Sequence, residues 1–307
     1  MLKGIKKIFF REAFSAVAFV VACFFVVSSV FCEIYSIYCK AKSIVPIYER
    51  GDIKDAYQPP SDKHQLGTDF KGRDVLLRAF FASKTAVKIG LLAGILSALI
   101  GVFVGMTAAY FGGAIDEIVV WFYSSFASIP TLLFVLSFSL LVTKGFLLPP
   151  ILEAFNFLSF ILNTDNGMLA IYIGIGLTGW VGLCRVVRSE TMRLRNEQYV
   201  QAARVLGFSH FRILFKHILP NLAHIAIIDF SVRFSYAIMT EVIFSYLGMG
   251  VQTEPSWGVM IADGQLRLWR GVWWEITAAT AFMFMLVLSL NIIGDIIRDA
   301  LDPKLRV

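Results

Sequence analysis

Charged residues are scarce in this chain. Only 16% of its 307 residues are charged, 57% are hydrophobic, and the mean hydropathy is +0.71. Soluble globular domains usually carry about 25% charged residues, so this composition excludes an ordinary soluble domain and indicates a chain solvated mostly by lipid. The net charge of +6 comes largely from cations beside apolar runs. Such cations set membrane topology, so we expect contact with membrane lipid and no binding of nucleic acid.

Cysteines and catalytic motifs are equally scarce. The four cysteines form no CxxC or Cys/His pattern, which argues against a metal site or a disulfide framework. The sequence has no GxxxxGK[ST], HExxH or GxSxG motif. His210, His217 and His224 recur every seven residues, but this helical spacing of about 10 Å is too wide for one ion. We therefore assign no catalytic residue, no metal ligand and no bound cofactor, and we expect a chain that is not an enzyme.

Long uncharged runs dominate instead. A membrane-spanning helix needs roughly 20 apolar residues. Five runs meet or nearly meet this length without a charge, and a sixth does so despite Asp229, Arg233 and Glu241. The six predicted spans are residues 13–32, 89–115, 118–143, 167–184, 221–247 and 276–294. The sequence therefore predicts an all-α polytopic membrane protein with six transmembrane helices.

The nature of the first apolar run and the distribution of cations along the chain decide the predicted topology. Residues 13–32 could be a signal peptide, because four cations precede them, but the run is long for an h-region and no small-residue cleavage site follows it. An uncleaved span is therefore favoured. Cations in residues 1–12, 185–221 and 298–307 then predict that these segments are cytoplasmic. Residues 33–84 are predicted to be an extracytoplasmic loop, whose own cations count little in a loop this long, and residues 85–297 are predicted to hold five helices.

The polar and basic segment 197–221, EQYVQAARVLGFSHFRILFKHILPN, lies between two apolar runs. It contains two amphipathic patterns. The first helical face comprises Tyr199, Ala202, Ala203 and Leu206, and the second comprises Phe211, Leu214, Phe215, Ile218 and Leu219. Gly207 interrupts the first pattern, Ser209 is a predicted N-cap, and Pro220 is predicted to end the second helix. From periodicity alone, the segment is either an ordinary cytoplasmic loop or a helix pair that docks on a soluble partner.

This segment resembles the EAA loop of membrane subunits of ATP-binding-cassette (ABC) importers. The resemblance rests on Gln201-Ala202-Ala203, on Gly207 and on the run from His217 to Asn221. In that family the loop forms a coupling helix that docks on the ATPase subunit. The residues implied to carry this coupling are Gln201, Ala202, Ala203, Gly207, His217, Leu219 and Pro220. Gln201 stands where the family usually has Glu, which puts a charged contact at this position in doubt.

Three other stretches are similar to the dipeptide, oligopeptide and nickel branch of these importers, in its C-type permease. They are HQLGTDFKGRD at 64–74, SYLGMGVQTEPSWG at 245–258 and NIIGDIIRDALDPKLR at 291–306. Glycines in the first stretch permit tight turns, and its charged residues can lock those turns with charge-assisted hydrogen bonds. The residues of this structural signature are Gly67, Thr68, Asp69, Gly72, Arg73 and Asp74.

The resemblance covers roughly residues 60–307 and implies the type I importer permease fold. It implies a permease subunit in a bacterial inner membrane that pairs with a homologous second permease. Two ATPase subunits would carry ATP and Mg²⁺, and an extracytoplasmic solute-binding protein would deliver substrate. The implied substrates are di- or oligopeptides, with nickel as the alternative. A secondary transporter built from inverted repeats is a more remote alternative, although no such repeat is visible.

The remaining features concern the membrane segments. Gly90, Gly94 and similarly spaced small residues predict close helix packing in the second span, and Pro130 is predicted to kink the third. Residues 145–164 are apolar but contain two prolines and several polar residues. A span there would move the EAA-like loop to the outer side, so we expect an extracytoplasmic helix or a membrane-surface hairpin.

Charged residues inside the fifth span mark it as special, because such residues usually face a bundle interior or a pathway. Asp229 and Arg233 are four residues apart and can pair. Such a pair is either structural or part of the pathway. Glu241 either lines the pathway, anchors a gate or makes hydrogen bonds at an interface.

Overall fold

The computed structural model describes residues 13–250 and 254–301, and these residues form α-helices with short 3-10 turns and no strand. The helices, in chain order, are α1 (Ala13–Ala41), α2 (Val75–Phe111), α3 (Gly113–Ala127), α4 (Thr131–Thr143), α5 (Pro149–Ile161), α6 (Asn166–Leu194), α7 (Gln198–Val205), α8 (His210–Tyr246), α9 (Trp257–Gln265) and α10 (Trp274–Leu301). Three segments lie outside the described ranges. They are the predicted cytoplasmic segment 1–12, residues 251–253 of the stretch 245–258, and the last six residues.

The described residues contain five helices that are long and apolar enough to cross a membrane, namely α1, α2, α6, α8 and α10. The pair α3 and α4 makes a sixth candidate if it is counted as one span, with a bend of 91° between its halves. The all-α polytopic prediction is thus confirmed. The third predicted span, 118–143, is a broken helix rather than a kinked one. Pro130 has no N–H, and it disfavours helical geometry at Ile129 before it.

Helix α2 begins at Val75, well before the predicted start at residue 89. Asp74 sets this start, because its side chain accepts a hydrogen bond from the Leu77 backbone N–H at 2.9 Å and so caps the helix. The early turns of α2 contain Lys84 and Lys88, which form ion pairs with Glu254 and Glu33. Paired charges can lie inside a helical bundle. A prediction from hydropathy alone places every charged residue outside a span and therefore starts α2 too late.

The centre of the fold is α2, which packs along α6 and α8 and also contacts α1 and α10. Its small residues permit this packing. A Cβ atom added at Gly105 would lie 2.6 Å from the Cys184 carbonyl oxygen of α6, and one added at Gly90 would lie 2.4 Å from the Phe234 ring of α8. The predicted close packing of the small-residue face is confirmed.

The apolar stretch 145–164 forms the short helix α5. Pro149 and Pro150 occupy its first turn, where the missing N–H groups have no helical acceptor, so the prolines begin the helix instead of breaking it. Phe155 is buried against Phe138 of α4, and the two ring centroids are 6.0 Å apart. With 13 residues, α5 is about 20 Å long and too short to cross a hydrocarbon core of about 30 Å.

Candidate coupling site and buried polar sites

Helix α7 and the start of α8 form a helix–turn–helix around Gly207. Gly207 has a φ of +73°, in the left-handed region. Its N–H donates to the Arg204 carbonyl at 3.0 Å, and the Phe208 N–H donates to the Ala203 carbonyl at 3.1 Å. This pair of bonds is a Schellman motif, which ends a helix and favours glycine. Ser209 then caps α8 by accepting a bond from the Arg212 N–H, so both sequence predictions are confirmed.

Helix α8 continues through Pro220, so the prediction that Pro220 ends the helix is wrong. The five residues Leu214–Ile218 adopt π-helical geometry, which ends two residues before Pro220. Proline lacks the N–H that would bond to the carbonyl four residues earlier, and its ring crowds that carbonyl. A π-turn widens the helix at this point and accommodates the ring. The Asn221 side-chain Nδ2 also donates to the His217 carbonyl at 2.7 Å.

The inner side of this helix pair packs on the ends of α2 and α6. Buried apolar residues of the pair are Val200, Ala203, Ile213, Leu214 and Ile218, and they share a cluster with Met106, Tyr110, Leu183, Val187 and Leu194. The faces expected from periodicity are therefore split between the two sides of the pair. Ala203 and Leu214 lie inside, whereas Ala202 and Leu206 are exposed. The contacts with α2 and α6, and not the periodicity of each helix alone, decide which of these residues are buried.

The outer side of the pair exposes large apolar residues beside Gly207. We call Val205, Leu206, Gly207 and Phe211 the coupling surface. The exposed fractions are 88% for Val205, 71% for Leu206 and 69% for Phe211. A Cβ atom added at Gly207 would meet no atom within 4 Å. Exposed large apolar side chains that are grouped at a turn mark an interaction surface.

Gln201 forms a hydrogen bond that connects α7 to the end of α6. Its Nε2 donates to the backbone carbonyl of Arg195, the residue that caps the end of α6, at 3.0 Å. An ionised Glu has no N–H or O–H to donate. The departure from the family's Glu therefore creates a bond within this chain, from α7 back to α6.

The remaining residues predicted for coupling lie on the same pair. The His217 ring stacks on the Phe208 ring at 6.1 Å, Leu219 is half-buried, and Pro220 is exposed. The Tyr199 hydroxyl accepts a bond from Asn221 Nδ2 at 3.1 Å, which joins α7 to α8. Burial raises the pKa of the Tyr199 phenol, and the nearby Glu197 adds to the rise, so this bond involves the neutral phenol.

Polar contacts that the sequence reasoning missed connect the start of α8 and the neighbouring helices α2, α3 and α6. Tyr110 Oη and His210 Nδ1 share a hydrogen bond of 2.9 Å, and Arg195 Nη1 donates to the Ala109 carbonyl at 2.6 Å. Arg188 of α6 forms a two-point pair with Asp116 of α3, both bonds at 2.6 Å. Clustered cations before the loop were the only sequence signal for these contacts. Together they connect the start of α8 and the end of α6 to α2, and they connect α6 to α3.

The structural signature at 67–74 forms a buried charge lock. The Asp69 carboxylate is fully buried and accepts four bonds of 2.7–2.9 Å, from the backbone N–H groups of Lys71 and Arg73 and from the guanidinium groups of Arg73 and Arg78. The predicted charge-assisted lock is confirmed, with Arg78 as an additional member. The charge lock joins the loop between α1 and α2, residues 42–74, to the first turn of α2.

Neighbouring signature residues extend the lock. Gly72 has a φ of +72°, and a Cβ atom added there would lie 1.9 Å from the Asp52 carbonyl oxygen. Gly67 also has a positive φ, of +69°. Thr68 accepts a bond from the Gln58 N–H at 2.8 Å, and its carbonyl accepts one from Trp274 Nε1 of α10 at 3.0 Å. The lock therefore spans the loop, α2 and α10.

Comparison with known proteins identifies the family. A family model described as binding-protein-dependent transport system inner membrane component matches residues 99–307. The chain belongs to this family. It is 34% identical to the oligopeptide transport system permease protein OppC of Bacillus subtilis over 260 residues, which are 84% of this chain and 78% of the relative.

Other relatives agree. The dipeptide transport system permease protein DppC of Bacillus subtilis is 34% identical over 258 residues, which are 84% of this chain and 74% of the relative. The OppC protein of Haemophilus influenzae is 33% identical over 243 residues, which are 78% of this chain and 70% of the relative. The motif resemblance is confirmed, and this inner-membrane component is a multi-pass membrane protein.

In this permease-family chain, Glu241 is buried and serves as an acceptor for two hydroxyls. Ser245 Oγ donates to its Oε1 at 2.6 Å, and Ser256 Oγ donates to the same oxygen at 2.7 Å. The segment around Ser256 is also held to α2, where Trp257 Nε1 donates to the Ala79 carbonyl at 2.9 Å. These contacts favour an anchoring role for Glu241 over a place on an open pathway surface.

The anchoring role predicts different effects for two substitutions of Glu241. Glu241→Gln keeps an acceptor oxygen for both serines, so we expect nearly normal abundance and transport. Glu241→Leu leaves two buried hydroxyls without an acceptor, at about 1–3 kcal/mol for each, so we expect reduced abundance in the membrane. Immunoblots and uptake assays measure both quantities. Normal abundance with lost transport in Glu241→Gln would instead assign the carboxylate to the pathway.

Asp229 and Arg233 form the predicted pair on α8, with Arg233 Nε 3.4 Å from Asp229 Oδ2. The guanidinium group lies against α6, because a Cβ atom added at Gly182 would be 2.5 Å from Arg233 Nη2. Pairing is therefore confirmed, and the contact with α6 favours a structural role. A place for either residue on the pathway stays a prediction.

Proposed function

We propose that this chain is the membrane-spanning permease subunit of an ATP-driven peptide importer. The coupling surface supports the proposal, because it exposes Val205, Leu206 and Phe211 on a helix pair whose sequence resembles the family's EAA loop. The relatives named OppC and DppC are permease proteins of oligopeptide and dipeptide transport systems, which supports peptides as the substrate class.

The proposed assembly contains a homologous second permease, two ATPase subunits that bind ATP and Mg²⁺, and a solute-binding protein outside. ATP binding would close the ATPase pair and move the docked helix pair. Because Ile213 and Leu214 share a buried cluster with Met106 of α2, and Gln201 is bonded to the end of α6, that motion would reach both α2 and α6. Alternating access would then follow from rigid-body movement of these helices.

The proposal predicts that a charge on the coupling surface prevents ATPase docking. Leu206 is exposed, so Leu206→Asp should fold normally but put a carboxylate into an apolar contact. We expect ATP hydrolysis that co-purifies with the chain to fall by more than about tenfold, as for a central apolar contact, and uptake to be lost.

The matched control for that variant is Ile53→Asp. Ile53 is 80% exposed, on a 3-10 turn of the predicted extracytoplasmic loop. This control should retain both ATPase activity and uptake. Unchanged co-purification of ATPase activity with Leu206→Asp would refute docking at the coupling surface, even if the chain proved to be a transporter by other criteria.

A further inference from the structure

The segment 197–221, which holds the coupling surface, has only positive charge left without a partner. Its one acidic residue, Glu197, is paired with Arg193 of α6 at 3.1 Å. The three exposed lysine and arginine residues of the segment are Arg204, Arg212 and Lys216. Among the residues that the structure describes, none of these three cations forms an ion pair or donates a side-chain hydrogen bond. The segment therefore offers cations, and no anion, to a partner.

Aromatic rings hold two of these cations in place. The Arg212 guanidinium lies over the Phe208 ring, with Cζ 4.5 Å from the ring centroid. The Arg204 guanidinium lies over the Tyr110 ring of α2 at 5.0 Å. Tyr110 is itself fixed, because its hydroxyl shares a hydrogen bond with His210. A stacked guanidinium loses little further freedom when it bonds, and its planar N–H groups match a carboxylate.

The two arginines border the coupling surface. Arg204 directly precedes its first residue, Val205, and Arg212 directly follows its last, Phe211. An apolar centre with a polar edge is the usual anatomy of a protein–protein interface, and arginine is enriched there. The arrangement therefore fits a protein partner that has an apolar recess with negative charge at its edge.

The helix pair is separated from lipid by the end of α6. The uncharged run of α6 ends at Cys184, and the helix continues for ten further residues to Leu194, four of them charged. At the usual tilt of about 20°, ten helical residues advance about 14 Å, whereas the headgroup layer on each side of a bilayer is roughly 5–8 Å thick. Helix α7 therefore begins beyond the headgroups, where a soluble protein reaches it.

We infer that Arg204 and Arg212 form a cationic rim of the coupling surface and pair with carboxylates on the ATPase subunit. This inference rests on the proposed function, in which an ATPase is the soluble partner of the helix pair. Gln201 carries no charge, and its amide is already bonded to the Arg195 carbonyl. The charged contact that the family's Glu implies at this position is thus replaced, in this chain, by contacts of opposite sign from the two arginines.

Retention of the ATPase at increasing salt tests this pairing in the complete complex. The complex is captured in detergent through a tag on this chain, and the bound ATPase activity is measured after washes at about 0.05 M to about 0.5 M NaCl, which screen exposed charges increasingly. We expect the double variant Arg204→Gln with Arg212→Gln to retain about threefold less activity at low salt, as for two partly exposed ion pairs. Its retention should also depend less on salt than that of the native chain. The corresponding double lysine variant, which keeps both charges, should lie between the two.

The matched control is Arg185→Gln. Arg185 of α6 is also exposed and stacked, with Cζ 5.0 Å from the centroid of the Tyr123 ring, and it forms no ion pair with a described residue. It lies outside the segment 197–221, so its loss removes a similar guanidinium away from the coupling surface. Retention of the ATPase and its salt dependence should equal those of the native chain.

Two results would overturn the cationic rim. The first is native retention by the double glutamine variant; if Leu206→Asp still lost the ATPase, the proposed function would stand and this inference alone would fail. The second is a loss that occurs only in nanodiscs containing phosphatidylglycerol and not in those of phosphatidylcholine, which would assign the arginines to lipid. If the double variant does not accumulate, Arg212→Gln alone gives the same readout. Retention of the ATPase by Leu206→Asp would instead contradict the proposed docking itself.

Discussion

Replacement of Gly207 by valine is expected to abolish transport while leaving the chain in the membrane. Gly207 has a φ of +73°, which a β-branched residue adopts only at a cost of roughly 1–2 kcal/mol or more. The strain would unwind the Schellman turn and reorient the coupling surface. Because the buried side of the helix pair does not include Gly207, the bundle itself should remain folded. Uptake, co-purifying ATPase activity and membrane abundance measure the three parts of this prediction.

Two further variants make the Gly207 prediction specific. Gly271 has a φ of +80°, and a Cβ atom there would likewise meet nothing within 4 Å, so Gly271→Val carries the same strain outside the coupling segment. It should retain transport. Gly207→Asn should retain more transport than Gly207→Val, because asparagine tolerates the left-handed region. Full transport by Gly207→Val at normal abundance would rule out a coupling role for this turn.

Substitution of Asp69 by asparagine is expected to remove most of the chain from the membrane. The Asp69 carboxylate is buried between the guanidinium groups of Arg73 and Arg78. The asparagine amide has no charge, and its Nδ2 would face guanidinium donors. Loss of one partner from a buried ion pair costs about 3–5 kcal/mol, a large part of the stability of a typical domain. Immunoblots of membranes and thermal unfolding of the detergent-solubilised chain give the result.

The control for Asp69 is another loop aspartate with a local role. Asp52 is exposed, and its side chain accepts a single bond, from the Lys54 N–H at 3.0 Å, as the cap of a 3-10 turn. Asp52→Asn should therefore change stability by about 1 kcal/mol or less. If Asp69→Asn accumulated and unfolded like Asp52→Asn, the charge lock would not be a determinant of the fold.

The membrane helices were largely predictable from the sequence because long uncharged runs have few alternatives. Their limits were not, and the reason is visible at Lys84 and Lys88. Both lysines lie within α2, where Glu254 and Glu33 neutralise them. Such pairing joins residues far apart in sequence, and a hydropathy profile cannot detect it. Arg78, the additional member of the Asp69 lock, also lies before the predicted start of the second span.

Proline residues were harder to interpret than glycine residues. Gly207 requires a left-handed conformation, and that local requirement was predictable. The predicted span that contains Pro130 is broken there, with a bend of 91° between its two helices. Pro149 begins a helix, and Pro220 lies inside a helix after a π-turn. Each outcome depends on how the preceding turn packs. Proline excludes one hydrogen bond, but tertiary contacts decide what replaces it.

The candidate coupling site was predictable in position but not in geometry. Motif spacing placed it at 197–221, whereas its inner and outer sides depend on contacts with Met106 and Tyr110 of α2. The bond from Gln201 to the Arg195 carbonyl also depends on the turn between α6 and α7. A single sequence contains no signal for that turn geometry.

The most direct test of the proposed function is uptake of labelled di- to pentapeptides in cells that lack this chain, with nickel accumulation measured in parallel. The proposal predicts that peptide uptake is lost without the chain, returns with the native gene and does not return with Gly207→Val. Normal peptide uptake in the deletion strain, with or without a change in nickel accumulation, would contradict the assignment of this permease to peptide import.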